Sequence, residues 1–392
     1  MNMNRRGFLA STAAFPFIAQ CAAEAGGAKY KACIIGDTNE GGYGHSMHVA
    51  FANRPDVRVV ALADPDEAGG AKHAAEAKAE RTYADYREML EKEKPDLVSV
   101  GPRTTVRHKE YVLACAEHGC HGFLEKPIAA DLAEADEMAA AIEAKNLKWA
   151  MAHNYRMSPP VRHMKKMLLE EHIIGHIIEL RSHGKEDNRA GGEDMIVLGT
   201  HVFDLVQSIM GKPEWCMADI TVNGKPAKPS DVKEATEPLG PIVGNRVNAM
   251  FGLGKGIAMF FGSIIQPDGD GKRWGLDIYG SKGVIKTRLN GLPPSVTYLP
   301  DPSWAPGLSG IAWAPLPDAP AEVTMQNPDV ERNAPIIDDL IAAIEEDRIP
   351  EASLQDGRTA YEFIQGAFAA YINGGRVSLP VAQRAHPLKH WA

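Results

Sequence analysis

From Lys31 onward, short apolar runs alternate with stretches whose apolar residues recur every three to four positions, the pattern of strands alternating with helices in a parallel α/β sheet. Ala32–Ile35 is an apolar run ending at Gly36, and after a loop His45–Arg54 reads as a helix. Val57–Ala63 reads as a strand, Asp66–Ala79 as an alanine-rich helix and Tyr86–Glu93 as another helix. Asp96–Val100 is a buried strand, Arg107–His118 a helix, and Gly122–Leu124 a strand running into Glu125-Lys126-Pro127. A helix at Leu132–Lys145 and a strand at Trp149–Ala152 complete a doubly wound domain over residues 29–152.

Beyond Arg156 the texture changes. Pro160–Glu171 is amphipathic, with Met164, Met167 and Leu168 on one helical face, and His176–Arg181 reads as a strand. After a helix at Thr200–Met210, strand-like runs at Met217–Val222, Arg246–Phe251, Gly256–Gly262 and Gly275–Tyr279 follow without intervening helices. That succession predicts an α/β domain over 153–381 built on a large, open, mostly antiparallel sheet. Leu299–Pro320 reads as a loop, Ala334–Glu345 and Ala360–Ile372 as helices, the second able to return to the first domain, and 382–392 as a tail.

Composition and charge narrow the function. The 392 residues suit two domains, since single cores rarely grow past about 250 residues. The 44% hydrophobic and 24% charged content supports packed cores, and a formal charge of -9 argues against a nucleic-acid partner, which needs a basic stripe. At the start, Asn4-Arg5-Arg6-Gly7-Phe8-Leu9 precedes a small-residue apolar run from Ala10 to Ala23, the order of a twin-arginine export signal over residues 1–25. Ala23-Glu24-Ala25 supplies a cleavage site, and the run is too short to span a bilayer. The protein is therefore expected in the periplasm, with lipid attachment through Cys21 as the second reading, because Gln20 is bulkier than such sites prefer. The five cysteines show no C-x-x-C spacing and no metal pattern, so Cys33, Cys115, Cys120 and Cys216 are expected as buried apolar residues.

Four constellations carry chemistry. The first, Gly36 to His45 with Thr38, Gly42, Tyr43 and Gly44, is a glycine-rich strand-to-helix turn whose N–H groups could hold a pyrophosphate; an ordinary glycine-rich loop is the alternative. The second is Asp64, after the second strand and about twenty residues beyond Gly44, where a carboxylate bonds ribose hydroxyls and repels a 2′-phosphate. This favours NAD over NADP, helix capping being the alternative role. The third is Glu125-Lys126-Pro127 at a strand end, where a lysine beside a nicotinamide could take a hydroxyl proton. The fourth, Gly191 to Asp204, offers His201 as an acid or base and Asp204 nearly one turn further along the same face.

Together these features resemble the Gfo/Idh/MocA family over residues 29–381. Further markers of that resemblance are Asn154-Tyr155-Arg156 with Pro159, Ile278 to Val284, and Asp356-Gly357-Arg358 before the last helix. The resemblance implies a Rossmann domain, an open-sheet domain that shapes the substrate pocket and the homo-oligomer, Lys126 against the reacting hydroxyl and His201 as its partner in proton transfer. Further candidate cofactor contacts are Arg103, His108 and Glu125, and candidate substrate contacts Asn154 and Arg156. Three departures stand out: a longer phosphate loop, a longer Gly101–His108 loop carrying Arg103 and Arg107, and Val197 where the family pattern has an aspartate. Glu193 and Asp194 are the candidate acids in its place, Asp194 as the catalytic one, with Glu193, Asp204 and Lys185 as candidate substrate contacts. The expected activity is oxidation of a sugar, cyclitol or polyol hydroxyl with tightly bound NAD. Redox-neutral glycoside cleavage and a non-catalytic binding role are the alternatives.

Overall fold

The computed structural model describes residues 27–265, 271–320, 325 and 328–391; the expected export signal, with its expected cleavage site and Cys21, lies outside the described residues. Strands β1 (Tyr30–Ile35), β2 (Val57–Ala63), β3 (Arg81–Tyr83), β4 (Leu97–Val100), β5 (His121–Leu124) and β6 (Trp149–Met151) form one parallel sheet in the order β3-β2-β1-β4-β5-β6. Helices α1 (Glu67–Ala77), α2 (Tyr86–Glu93), α3 (His108–Glu117) and α4 (Leu132–Ala144) flank it, so β4, β5 and β6 are almost wholly apolar and buried. Aspartates start three of these helices: Asp66, Asp85 and Asp131 each accept a first-turn N–H. The strand order reverses between β1 and β4, which opens a crevice at their carboxyl ends.

One expected element is absent. His45–Arg54 forms only a 3₁₀ turn at Met47–Val49, bracketed by left-handed residues at Gly44 (φ 48°), Ser46 (φ 57°) and Asn53 (φ 64°). A left-handed residue breaks a right-handed helix, and the apolar spacing in this segment instead reflects Met47 and Phe51 plugging the core as parts of an irregular chain.

The second domain opens with α5 (Asn154–Met157) and α6 (Pro159–Leu169), then β7 (Ile177–His183), α7 (Gly192–Val197) and α8 (Gly199–Met210). Then come β8 (Trp215–Val222), β9 (Lys225–Pro226), the hairpin β10 (Lys233–Glu234) and β11 (Pro241–Ile242), β12 (Arg246–Gly252), β13 (Ala258–Ile264), β14 (Gly275–Gly280), β15 (Gly283–Arg288) and β16 (Ser295–Leu299). The stretch expected as a loop holds α9 (Pro306–Ser309) and β17 (Ala314–Pro315); α10 (Pro328–Glu331), α11 (Ala334–Glu345), α12 (Leu354–Ile372) and β18 (Val377–Ser378) end the series. The sheet runs β17-β16-β15-β14-β7-β13-β12-β8-β18 with β9 beside β8, and only β7–β13 pair in parallel.

Phe203 of α8, Phe251 of β12 and Phe363 of α12 stack between helices and sheet, with centroids 5.0–5.6 Å apart. Ile178, Met217 and Phe260 stand exposed on strands of this sheet. Helix α12 reaches the first domain, where Tyr361 Oη donates to Ala130 O at 3.3 Å. The four described cysteines are buried free thiols, and among the described residues no helix is long and apolar enough to cross a membrane.

Candidate active site

Strand β5 delivers Glu125 and Lys126 to the crevice, and both side chains are buried. Lys126 Nζ donates to Val197 O at 2.9 Å, tying the end of β5 to the junction of α7 and α8. Burial pulls the Lys126 pKa down to about 8; Arg103 and Arg189 add to the fall, and Glu125 and Glu237 oppose it. Glu125 accepts the His45 backbone N–H at 3.0 Å and faces His45 Nδ1 at 2.7 Å. Burial works against its charge, but the neighbouring His45 and Lys126 hold its carboxyl well below the usual range.

His201, in the first turn of α8, is encased by rings: Tyr155 at 5.1 Å, His45 at 5.6 Å, His153 at 5.7 Å and Trp274 at 6.0 Å between centroids. Burial, with the nearby Lys126, drives its pKa far down, so it is a neutral imidazole whose Nδ1 has no hydrogen-bond partner among the described residues. A buried amine that titrates near pH 8 next to a neutral imidazole is equipped to accept a proton from a hydroxyl.

At the other end of the crevice, Asp64 accepts Thr38 Oγ1 at 2.7 Å, Tyr43 Oη at 2.6 Å, and the N–H groups of Thr38 and Asp66. The Tyr43 ring lies across Gly36, where any Cβ would overlap it at 2.0 Å. Gly44 turns with φ 48° against Glu125, whose Oε2 would lie 2.3 Å from a Cβ there, so this loop needs glycine for approach as well as for backbone. Gly42, at φ 62°, is open on its outer side. Arg103 spans from Gly44 O (3.4 Å) to Glu237 (4.0 Å), and Arg107 pairs with Asp37 at 3.2 Å.

Several sequence candidates are committed to other partners. His108 is buried with Nε2 2.7 Å from Pro102 O and Nδ1 3.1 Å from Ile128 O, bracing the loop after β4. Asp194 accepts the N–H groups of Lys185 and Glu186 at 3.0 Å and Ser263 Oγ at 2.5 Å, with burial raising its pKa. Lys185 itself reaches Asp187 at 3.6 Å. Glu193 accepts from Thr236 and from the Glu237 N–H, anchoring the β10–β11 hairpin. Arg156 lies between Asp204 (3.0 Å) and Asp356 (2.8 Å), and Asn154 donates to Asn333, which in turn donates to His45 O. The structure therefore gathers Lys126, Glu125, His201, Gly44 and Arg103 in one place. It spends Asp194, Glu193, Asp204 and Arg156 on holding the surrounding frame.

Residues 31–153 match the sequence model described as "Oxidoreductase family, NAD-binding Rossmann fold", and residues 166–379 match its companion, "Oxidoreductase family, C-terminal alpha/beta domain". The chain belongs to the Gfo/Idh/MocA oxidoreductase family. Levoglucosan dehydrogenase of Pseudarthrobacter phenanthrenivorans is 27% identical over 59% of this chain and 64% of its own length. Myo-inositol 2-dehydrogenase of Thermotoga maritima is 27% identical over 46% of this chain and 58% of its own. The matched stretches thus span about three fifths of these relatives. In fold, a solved levoglucosan dehydrogenase in complex with NADH and levoglucosan superposes at TM-score 0.72 and 20% identity, covering 90% of this chain and 99% of that one.

Within this Gfo/Idh/MocA chain the structure adds residues that the sequence reading passed over. Glu237, on the β10–β11 hairpin, pairs with Arg189 at 2.6 Å. The hairpin closes onto the Rossmann domain where Thr105 N–H donates to Pro238 O at 3.2 Å. Glu237 thus supplies an acid to the Lys126 surroundings from a segment remote from Val197. Only the adjacency of His45 to Gly44, and of Tyr155 to Arg156, signalled their places; Glu237, Arg189 and Trp274 carry no local signal.

Proposed function

We propose that this protein is an NAD-dependent oxidoreductase acting on a secondary hydroxyl of a sugar, cyclitol or related polyol, with Lys126 as the proton acceptor. The observation that carries the reading is the buried Lys126 amine with a pKa near 8 at the carboxyl end of β5, on the crevice of the strand-order reversal. The residues present suit the dinucleotide. Asp64 already receives two hydroxyl donors, from Tyr43 and Thr38, the kind of donor a ribose diol presents, and its negative charge disfavours a 2′-phosphate. Asp64 would hold the adenosine ribose, the Gly42–Gly44 turn the pyrophosphate, and Glu125 and His45 would border the nicotinamide end.

NAD bound there supplies the two-electron acceptor. Lys126, deprotonated, takes the proton from the substrate hydroxyl as the carbon is oxidised to a carbonyl. Neutral His201 offers a hydrogen bond to the same oxygen, and the Tyr155 and Trp274 rings give an apolar wall suited to C–H faces. Arg5-Arg6 and the apolar run after it support export. Ile178, Met217 and Phe260 on the large sheet support self-association through that sheet.

The test is a panel of sugars and polyols with purified protein and NAD, followed by nicotinamide absorbance. One substrate should give turnover that Lys126→Met abolishes while NAD still binds. Wild-type activity in Lys126→Met would overturn the assignment. Cleavage of an aryl glycoside without net change in absorbance would replace simple oxidation with the redox-neutral reaction.

A further inference from the structure

Behind Tyr43, beside the adenosine end of the crevice, three ligating side chains converge in the Rossmann domain. His73 and Glu76 lie three residues apart on α1 and share a face, while His48 comes from the 3₁₀ turn at Met47–Val49. His48 Nε2 stands 2.8 Å and His73 Nδ1 3.0 Å from Glu76 Oε2, and the three atoms lie within 4.8 Å of one another. The two imidazole centroids are 4.7 Å apart, and the Tyr43 ring packs on both, at 5.1 Å from His48 and 4.1 Å from His73. Side-chain exposures of 12%, 18% and 43% shelter the imidazoles and leave the carboxylate side open to solvent.

We propose that His48, His73 and Glu76 form a three-ligand site for a zinc-class divalent ion, with water as the fourth ligand. Tetrahedral zinc, with ligand bonds of about 2.0–2.2 Å, spaces its ligand atoms about 3.3 Å apart. The two hydrogen-bonded separations therefore need to open by only a few tenths of an ångström. A neutral imidazole presents its lone pair by carrying its proton on the other ring nitrogen, so metal binding exchanges the two imidazole–carboxylate hydrogen bonds for metal bonds. Two imidazoles and one carboxylate select zinc and its neighbours over magnesium or calcium, which take oxygen sets. The ion joins the irregular 43–49 segment to α1, a tether for a stretch that lacks a helix of its own. Tyr43 links this clasp to Asp64, so the ion stiffens the adenosine end of the crevice.

The test uses tag-free full-length protein stripped with a chelator and titrated with Co²⁺, in the absence of NAD and substrate, so that it stands apart from the proposed oxidoreductase activity. The wild type should take up one Co²⁺ per chain with the intense visible band of four-coordinate cobalt. Zn²⁺ should bleach that band and raise Tm. His48→Gln and His73→Gln should each weaken uptake about 100-fold and Glu76→Gln about 10-fold. All three should keep the wild-type circular dichroism, since glutamine retains a polar side chain of similar reach at each position. Absence of saturable uptake by the wild type would overturn the proposal. So would unchanged stoichiometry and spectrum in folded His48→Gln and His73→Gln proteins.

Discussion

Lys126 Nζ bonds the backbone carbonyl of Val197 at 2.9 Å, at the position where the family pattern carries an aspartate. A carbonyl dipole stabilises an ammonium less than a carboxylate does, so burial dominates and the pKa falls to about 8. Raising the pH through 8 deprotonates the amine, and kcat/KM should therefore climb tenfold per pH unit below about 8 and level off above it. Lys126→Met should lose a factor on the order of 10²–10⁴ in kcat with NAD affinity retained. Removing a buried ammonium should also raise Tm at pH 7, which calorimetry checks.

Glu237 and Arg189 tune that lysine in opposite directions. Glu237 stabilises the ammonium, so Glu237→Gln should move the break in the pH–rate profile downward. The effect is reinforced because Arg189 then keeps Asp187 but loses its second carboxylate partner at 2.6 Å. Arg189→Met should move the break upward for the converse reason. A hairpin with a merely structural role would change Tm in these variants and leave the break in place.

Tyr43 competes for Asp64. Its 2.6 Å hydrogen bond must open before a ribose can bond the same carboxylate, so Tyr43→Phe should tighten NAD binding by about fivefold, the worth of one net hydrogen bond. Asp64→Ala should weaken NAD and reduce its preference over NADP. Fluorescence titration with both dinucleotides measures the two effects.

Much of the fold was legible in the sequence because its strands are short apolar runs between capped helices, and Asp66, Asp85 and Asp131 sit where they cap. The segment after Gly44 misled because Met47 and Phe51 keep helical spacing while Gly44 and Ser46 turn left-handed, and side-chain periodicity does not register backbone sign. At the site, Lys126 and His201 were legible because strand ends and helix starts are where this architecture puts chemistry. Glu237 was not, because its hairpin reaches the crevice through Pro238 O and Glu193, partners far away in sequence. The same limit hid His48, His73 and Glu76, which share no motif.

The acids near His201 separate on one criterion, the direction in which their oxygens are spent. Asp194 stands seven residues before His201 and Asp204 three after it, and both are acids of the segment that carries Val197. Asp194 holds two backbone N–H groups and Ser263, while Asp204 holds Arg156 in a fully buried ion pair. Asp204→Ala leaves the buried Arg156 guanidinium with Asp356 as its carboxylate partner and should cost about 3 kcal/mol in urea unfolding, against about 1–3 kcal/mol for Asp194→Asn, which keeps one acceptor. The strongest charges acting on Lys126 are Glu125, Glu237, Arg103 and Arg189, so in Asp194→Asn and Asp204→Ala protein that remains folded the break near pH 8 should stay close to where it is. A shifted break in Asp194→Asn would return that residue to the proton path and leave Glu237 as a structural neighbour.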